Sequence, residues 1–157
     1  MRPRRLRSRS AGFNILELMV VVFIIGALAA IAGPDMARMV RTQRIKTSAF
    51  DVIASLTLAR SEAIKRNVTV TITPTGGDWA RGWRVSDANN NVVKEQGDLG
   101  STVTVTGPAN VRYASNGRLN GATAPEFALS ADDVAAGSLR CIRVDLSGRP
   151  VAKEGAC

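Results

Sequence analysis

The stretch Gly12–Val20, GFNILELMV, places a carboxylate inside an apolar run. From Phe13 to Gly33 only Asn14 and Glu17 are polar, and a run of this length can cross a hydrocarbon core as a helix. An ionisable side chain in such a span is costly, so it generally survives because it has a function and a partner. The stretch therefore predicts a membrane-spanning helix with a functional carboxylate close to its start.

The residues ahead of this run form a basic leader at 1–12. The leader holds five arginines and no acidic residue, so it carries most of the formal charge of +8, and the remaining 16 basic residues face 13 acidic ones. A basic arm before an apolar span predicts a cytoplasmic N-terminus, with the chain after residue 33 across the membrane. This charge balance is typical of a targeting arm and gives little support to nucleic-acid binding.

The apolar run continues into one long predicted helix with two different halves. The span at 13–35 is apolar on all sides, whereas 36–67 is amphipathic. Pro34 lies between the halves and is expected to kink the helix, because it has no N–H and clashes with the preceding turn. The apolar residues that share one face of the second half are Ile45, Ala49, Ile53 and Leu56.

After residue 67 the apolar spacing changes to the alternation of β-strands. The strand candidates are Val68–Thr73, Gly82–Val85, Thr102–Thr106, Val111–Ala114, Glu126–Leu129 and Cys141–Leu146. Turns rich in Gly, Asn, Asp and Pro separate them. Strands that follow one helix, instead of alternating with helices, predict an α+β fold in which the helix packs on an antiparallel sheet. Residues 68–157 then form a periplasmic β-rich domain.

The chain has two cysteines, Cys141 and Cys157, and no histidine. In an exported chain an even cysteine count predicts a disulfide, and two unpaired thiols are the alternative. Lack of histidine removes the commonest general base and metal ligand. The sequence also has no phosphate loop, no nucleophile with a base and no metal-ligand cluster. We therefore expect no enzymatic activity, no cofactor and no metal.

A secretory signal peptide is the alternative interpretation of the N-terminus. Ala27–Gly33, ALAAIAG, contains the Ala-x-Ala pattern that signal peptidase uses. However, the apolar run is longer than a usual signal core, Glu17 would weaken that core, and the helical pattern continues through the cleavage point. These features favour a span that is retained.

The segment Gly12–Val22, GFNILELMVVV, resembles the N-terminus of type IV pilins and type II secretion pseudopilins. The resemblance implies that a prepilin peptidase cuts between Gly12 and Phe13 on the cytoplasmic side and N-methylates Phe13. It also implies that Glu17 pairs with the N-terminal amine of its own or an adjacent subunit when the helix enters a filament. Asn14 is a departure, because a small hydroxyl residue is usual there.

The rest of the chain resembles the GspH/FimT group of minor pilins and pseudopilins. The elements that carry this resemblance are Asp78–Asp87 (DWARGWRVSD), Arg112–Leu119 (RYASNGRL) and Val144–Arg149 (VDLSGR). Trp79 and Trp83 are predicted to cover a sheet edge or the core, with ligand stacking as the alternative.

The resemblance implies three alternative roles. We favour a FimU-like minor pilin of the bacterial inner membrane, which primes a type IV pilus and joins other minor pilins and the major pilin near its tip. The second role is a GspH-like minor pseudopilin of type II secretion. The third is a FimT-like pilin that binds DNA in natural transformation.

DNA-binding members of the group resemble one another in a basic Gly-Arg-x-Arg motif. Gly148 and Arg149 match it, but Val151 replaces the second arginine, and Pro150 predicts an edge or terminal position in a sheet. Acidic residues lie among the basic ones, which favours a solvated surface over a DNA site. The candidate DNA-binding residues are Arg140, Arg143, Arg149 and Lys153.

Overall fold

The computed structural model of the protein describes residues 13–157, so the predicted leader lies outside the described residues. The described chain forms two compact units, 13–37 and 38–157. Helix α1 (Ile15–Arg66) contributes to both of them. Within residues 13–157, no unbroken helix is long and apolar enough to span a membrane. Two parts of α1 that meet at a bend, Ile15–Ile31 and Asp35–Arg66, could span one together, by length and composition alone.

Eight β-strands follow α1. They are β1 (Val70–Thr75), β2 (Asp78–Asp87), β3 (Val92–Gln96), β4 (Thr104–Thr106), β5 (Val111–Tyr113), β6 (Glu126–Ser130), β7 (Arg140–Val144) and β8 (Pro150–Glu154). All pairings are antiparallel. The strands form two four-stranded sheets, in the orders β3-β2-β1-β5 and β4-β6-β7-β8. The α+β prediction with antiparallel pairing is confirmed, but the strands divide into two sheets instead of one.

One face of α1 supplies the helical side of the core of unit 38–157. Its buried apolar residues are Ile45, Ala49, Val52, Leu56, Ala59 and Ala63. Steps of four, three, four, three and four keep them on one stripe. Three of the four residues predicted for this face are buried, whereas Ile53 lies at its border and is only partly buried.

The two tryptophans belong to the core, as the structural interpretation predicted. Trp79 and Trp83 are 3% and 0% exposed, respectively. The ring of Trp79 packs edge-on against Phe127 of β6 at a centroid distance of 4.8 Å, so it joins the two sheets. Its Nε1–H donates to the carbonyl oxygen of Pro108 at 2.8 Å, which satisfies the buried indole.

The core of unit 38–157 is complete within that unit. Every residue of its buried cluster falls between Ile45 and Val144. A fragment of residues 38–157 therefore contains the whole of this core. Hydrophobic burial supplies the main driving force for folding. We therefore expect this fragment to fold by itself, and we use it below for measurements in solution.

A buried carboxylate joins the end of α1 to the β2–β3 turn. Asp87, whose side chain is 7% exposed, accepts hydrogen bonds from the side-chain amide of Asn91 (3.0 Å) and from the backbone N–H groups of Asn89 and Asn91 (both 2.9 Å). The Arg66 guanidinium lies 3.6 Å from it. The side-chain hydrogen bond from Asn91 is the main cause that lowers the pKa of Asp87, and the two backbone donors and Arg66 act in the same direction.

We expect Asp87→Asn to destabilise fragment 38–157 in a pH-dependent way. Because the folded-state pKa is lowered, the stabilisation by Asp87 is complete above its unfolded-state pKa, roughly 3.9, and is lost as the pH falls through the folded-state pKa. Urea unfolding at several pH values should show a lower free energy of unfolding for the variant than for the wild-type fragment at pH 7, and this deficit should shrink toward pH 2. Asp132→Asn, at an exposed carboxylate, is the control. A deficit that is independent of pH would contradict this prediction.

Candidate functional sites

The N-terminal end of α1 is capped by Asn14. Its Oδ1 accepts a hydrogen bond from the N–H of Leu16 at 3.3 Å, and its carbonyl oxygen accepts one from Leu18 at 3.2 Å. Asparagine is as good a helix cap as the hydroxyl residues. The departure from the family pattern at this position therefore keeps the capping chemistry. Gly12, on the other side of the predicted cleavage junction, lies outside the described residues.

Glu17 lies in the first turn of α1, three residues after the cap. A carboxylate at this place is favoured by the positive end of the helix dipole and by the capping-box arrangement. Phe13 precedes the cap and lies just outside α1, four residues before Glu17. The arrangement is compatible with pairing between the carboxylate and an amine at Phe13, which remains a prediction, as do the kink at Pro34 and the cleavage.

Unit 13–37 has a continuous apolar surface. Its large apolar side chains are 44–79% exposed, and they include Phe13, Leu16, Phe23, Leu28 and Ile31. Monomeric soluble proteins rarely expose apolar patches larger than a few hundred Å². Such a surface marks a contact with lipid or with other apolar helices.

Two of the turns that carry the family resemblance touch each other. An added Cβ at Gly148 would lie 2.2 Å from the carbonyl oxygen of Gly117, so the two backbones are in close contact. The same carbonyl oxygen accepts a hydrogen bond from Arg60 Nε of α1 at 3.1 Å. An added Cβ at Gly117 would lie 2.5 Å from Ile64 Cδ1. The two motifs therefore form a three-way junction with the helix, which is a structural role.

The C-terminal hairpin is formed by β7 and β8. Asp145 N–H bonds to Arg149 O at 3.1 Å, and Gly155 N–H bonds to Leu139 O at 3.0 Å, with an unshifted register between them. In an antiparallel ladder, hydrogen-bonded residue pairs alternate with pairs that are not hydrogen-bonded. The backbone N–H and C=O groups of Val151 and Lys153 therefore point toward β7. Pro150 faces away from β7, so its missing N–H removes no bond from the ladder. Strand β8 is an edge strand, as Pro150 predicted.

Cys141 and Cys157 form a disulfide, with their Cα atoms 5.0 Å apart. Cys141 lies in β7, and Cys157 follows the end of β8, so the bond closes the C-terminal segment onto the sheet. The disulfide prediction is confirmed. Closing a loop of this length stabilises the fold by roughly 3 kcal/mol, because it restricts the unfolded chain.

We expect the double substitution of Cys141 and Cys157 by serine to lower the free energy of unfolding of fragment 38–157 by roughly 3 kcal/mol. Urea unfolding measures the loss, and the reduced wild-type fragment should unfold at the same concentration as the variant. A loss below about 1 kcal/mol would contradict the prediction and would imply that the reduced chain already restricts this loop.

The structure does not bring the four candidate DNA-binding residues into one patch. Arg143 and Lys153 lie on the outer face of the second sheet, where they line a groove of about 310 Å³. Arg140 lies on the opposite face, beside α1, and Arg149 lies in the β7–β8 turn.

Three of these four cations are already paired. Arg140 contacts Glu154 at 2.9 Å, Arg143 contacts Glu126, and Arg149 contacts Asp145 at 3.6 Å. Lys153 has no ion pair with any described residue. The hydroxyl of Ser147 donates to Asp145 at 2.5 Å and is the main cause that lowers the pKa of Asp145, so this carboxylate stays charged beside Arg149. These pairings reduce the positive charge that the four candidate residues offer to phosphates.

Comparisons with known proteins agree with this architecture. The family model described as type II transport protein GspH matches residues 48–148, which is more than half of the chain. No curated protein sequence matches the chain.

Solved minor pilins share the fold. The Pseudomonas aeruginosa type IV minor pilin FimU is similar over 71% of this chain and 89% of its own length, with 20% identity and a TM-score of 0.62. In a second crystal form, FimU is 22% identical over 69% of this chain and 91% of its own, with a TM-score of 0.57. EpsH, a minor pseudopilin of the Vibrio cholerae type 2 secretion system, covers 71% of this chain and 97% of its own, with 15% identity and a TM-score of 0.52. The chain belongs to the GspH family of type IV minor pilins and pseudopilins.

Proposed function

We propose that the protein is a minor type IV pilin that primes assembly of a pilus and is incorporated near its tip. Prepilin peptidase removes residues 1–12 and methylates Phe13. The span at 13–35 then anchors the mature chain in the bacterial inner membrane, with the β-rich domain in the periplasm. In the filament its neighbours are other minor pilins and the major pilin, and its role is structural, with no catalysis.

The uncovered apolar surface of unit 13–37 carries this proposal. Side chains such as Phe13, Phe23 and Ile31 are more than 75% exposed, so they need lipid before assembly and neighbouring helices after it. A bundle of apolar helices in the filament can cover the same surface that lipid covers in the membrane, since lipid tails and apolar side chains are equally apolar. The core of unit 38–157 contains no residue of this segment.

The filament itself provides the test of this function. Sheared pili should contain the protein at a low ratio to the major pilin, and deletion of its gene should reduce the number of pili strongly. Intact-mass analysis of the membrane form should show loss of residues 1–12 and gain of one methyl group. A mature chain that begins near Gly33 would refute the anchor, and normal piliation without the gene would refute the priming role.

A role as a minor pseudopilin of type II secretion is the second candidate. It is supported by the description of the matching family model and by the similarity to EpsH. Both roles use the same processed helix, so they are distinguished by whether deletion of the gene abolishes piliation or protein secretion. Loss of protein secretion with intact pili would favour this second role.

DNA binding is the candidate that the charges favour least, because Arg140, Arg143 and Arg149 are engaged with carboxylates. A salt series with fragment 38–157 and Arg149→Ala tests it. Micromolar binding at physiological salt that falls with salt and is weakened by Arg149→Ala would restore the DNA-uptake role.

A further inference from the structure

Strand β8 leaves one side of its backbone unused. In the hairpin ladder Val151 and Lys153 bond to β7, so the N–H and C=O groups of Ala152 and Glu154 point away from it, together with the C=O of Pro150. None of these outward groups takes part in a hydrogen bond within residues 13–157. Unpaired groups that repeat at every second residue are a template for another strand.

A groove of about 310 Å³ lies beside this edge, between β8 and helix α1. We name it the β8 groove. Lys46, Phe50 and Ile53 form its helical wall, and Ala152 and Glu154 form its strand wall. Phe50 is 71% exposed, although it is a large apolar residue on a well-packed helix. The groove therefore combines an unpaired backbone with an apolar anchor point.

The charges in the β8 groove are unbalanced. Arg140 is neutralised by Glu154 at 2.9 Å, whereas Lys46 has no ion pair with any residue of the described chain. Lys46 is one helical turn from Phe50, roughly 6 Å along the axis, which is close to the roughly 7 Å that separates alternate residues of a strand. A strand with an acidic residue two positions from an apolar one would meet both side chains.

We propose that the β8 groove binds an extended segment of another polypeptide, which adds a fifth strand next to β8. The segment takes its main-chain hydrogen bonds from Ala152 and Glu154, as in β-strand addition generally. An apolar side chain of the segment packs on Phe50, and an acidic side chain pairs with Lys46. This proposal concerns the globular unit alone and holds for either filament, so its failure would leave the proposed function standing.

A synthetic strand tests the proposal on isotope-labelled fragment 38–157. The probe is the peptide acetyl-TETLTET-amide, which offers acidic residues two positions on either side of one leucine. Nuclear magnetic resonance titration should show saturable shifts at the amides of Ala152 and Glu154, and hydrogen exchange at these two amides should slow. The charge-reversed peptide acetyl-TKTLTKT-amide should bind at least tenfold more weakly.

Substitutions in the groove separate strand addition from nonspecific contact. Ala152→Pro removes an outward N–H and no ladder bond, so the fragment should stay folded and bind the probe at least tenfold more weakly. Val151→Ala changes a side chain on the other face of β8, outside the groove, and should bind normally. Lys46→Glu should reverse the preference between the two peptides, and Phe50→Ser should weaken both.

Two results would overturn the proposal. One is absence of binding at millimolar probe, or shifts that spare the amides of Ala152 and Glu154. The other is equal binding by Ala152→Pro and Val151→Ala, with both variants showing the thermal unfolding of a folded domain.

Discussion

Alanine in place of Gly148 is expected to lower the free energy of unfolding of fragment 38–157 by at least about 4 kcal/mol. Gly148 has φ +87°, a conformation that residues with a side chain rarely adopt. Its new Cβ would lie 2.2 Å from Gly117 O and 3.0 Å from Tyr113 Cε1. Both neighbours are held, since Gly117 O bonds to Arg60 and the Tyr113 ring is fully buried. These clashes can therefore be relieved only if the two turns move apart.

Gly155→Ala is the matched control for this substitution. Gly155 has φ +90°, and nothing lies within 4 Å of its added Cβ. The control therefore isolates the backbone strain, which costs about 1–2 kcal/mol. Urea unfolding of the two variants at pH 7 gives the difference. Equal losses would mean that the junction between the two turns adjusts freely and that the close approach has little energetic weight.

The junction also shows what the sequence can and cannot predict. Both turns were predicted from their Asn, Gly and Asp residues, and both match family motifs. Contact between Gly117 and Gly148 joins residues distant in sequence, so no local pattern indicates it. Once the contact is known, the motifs need no ligand to explain them, because only glycine allows the two backbones to approach so closely.

The strand predictions succeeded where one face of a strand is buried. β6 (Phe127, Leu129) and β7 (Ile142, Val144) show the alternation directly, and both were predicted. The two strands that were missed, β3 and β8, lie at sheet edges and contain no fully buried residue. The other two edge strands, β4 and β5, do bury side chains at alternate positions, and both were predicted.

Individual residues explain these two misses. In β3, Lys94 takes a position opposite Val85, where its ammonium donates to Ser55 of α1 at 3.1 Å, so a charge replaces the expected apolar residue. In β8, every residue after Pro150 is exposed, so no alternation is visible. The division into two sheets was not predictable either, because it depends on which strands pair, and β4 pairs with β6 instead of with its neighbours in sequence.

The helical face was predicted with one error, which has a geometric cause. Val52 is buried and Ile53 only partly so, although both are apolar. A core-facing stripe spans at least 100°, and adjacent residues differ by about 100°, so either residue fits the stripe. The sequence does not decide between them. Phe50 is a large apolar residue outside the stripe, and this was the signal in the sequence for the β8 groove that was missed.

Replacing Glu17 by glutamine or by valine is expected to lower incorporation into filaments at least tenfold, while cleavage and membrane insertion stay intact. In the proposed membrane topology the carboxylate would lie near the headgroups, where its cost is low. In a helical filament core it needs a cation, and the proposed one is the amine that the predicted cleavage would create at Phe13. Removing one partner of a buried ion pair costs about 3–5 kcal/mol, because the other charge is left alone.

The two substitutions separate pairing from other roles of Glu17. Glutamine keeps the capping-box chemistry three residues after Asn14 and removes only the charge, whereas valine removes both. Asn14→Ser, which keeps a helix cap, is the control and should assemble normally. Immunoblots of sheared filaments, normalised to the membrane pool, give the incorporation, and intact mass confirms processing.

The pairing role requires that glutamine be as defective as valine. If glutamine assembles normally and valine does not, Glu17 acts as a polar cap of the helix, and the N-terminal amine needs another partner. If both assemble normally, the carboxylate has no role in the filament core, and its presence in an apolar span would have to be explained by recognition at the predicted cleavage site between Gly12 and Phe13.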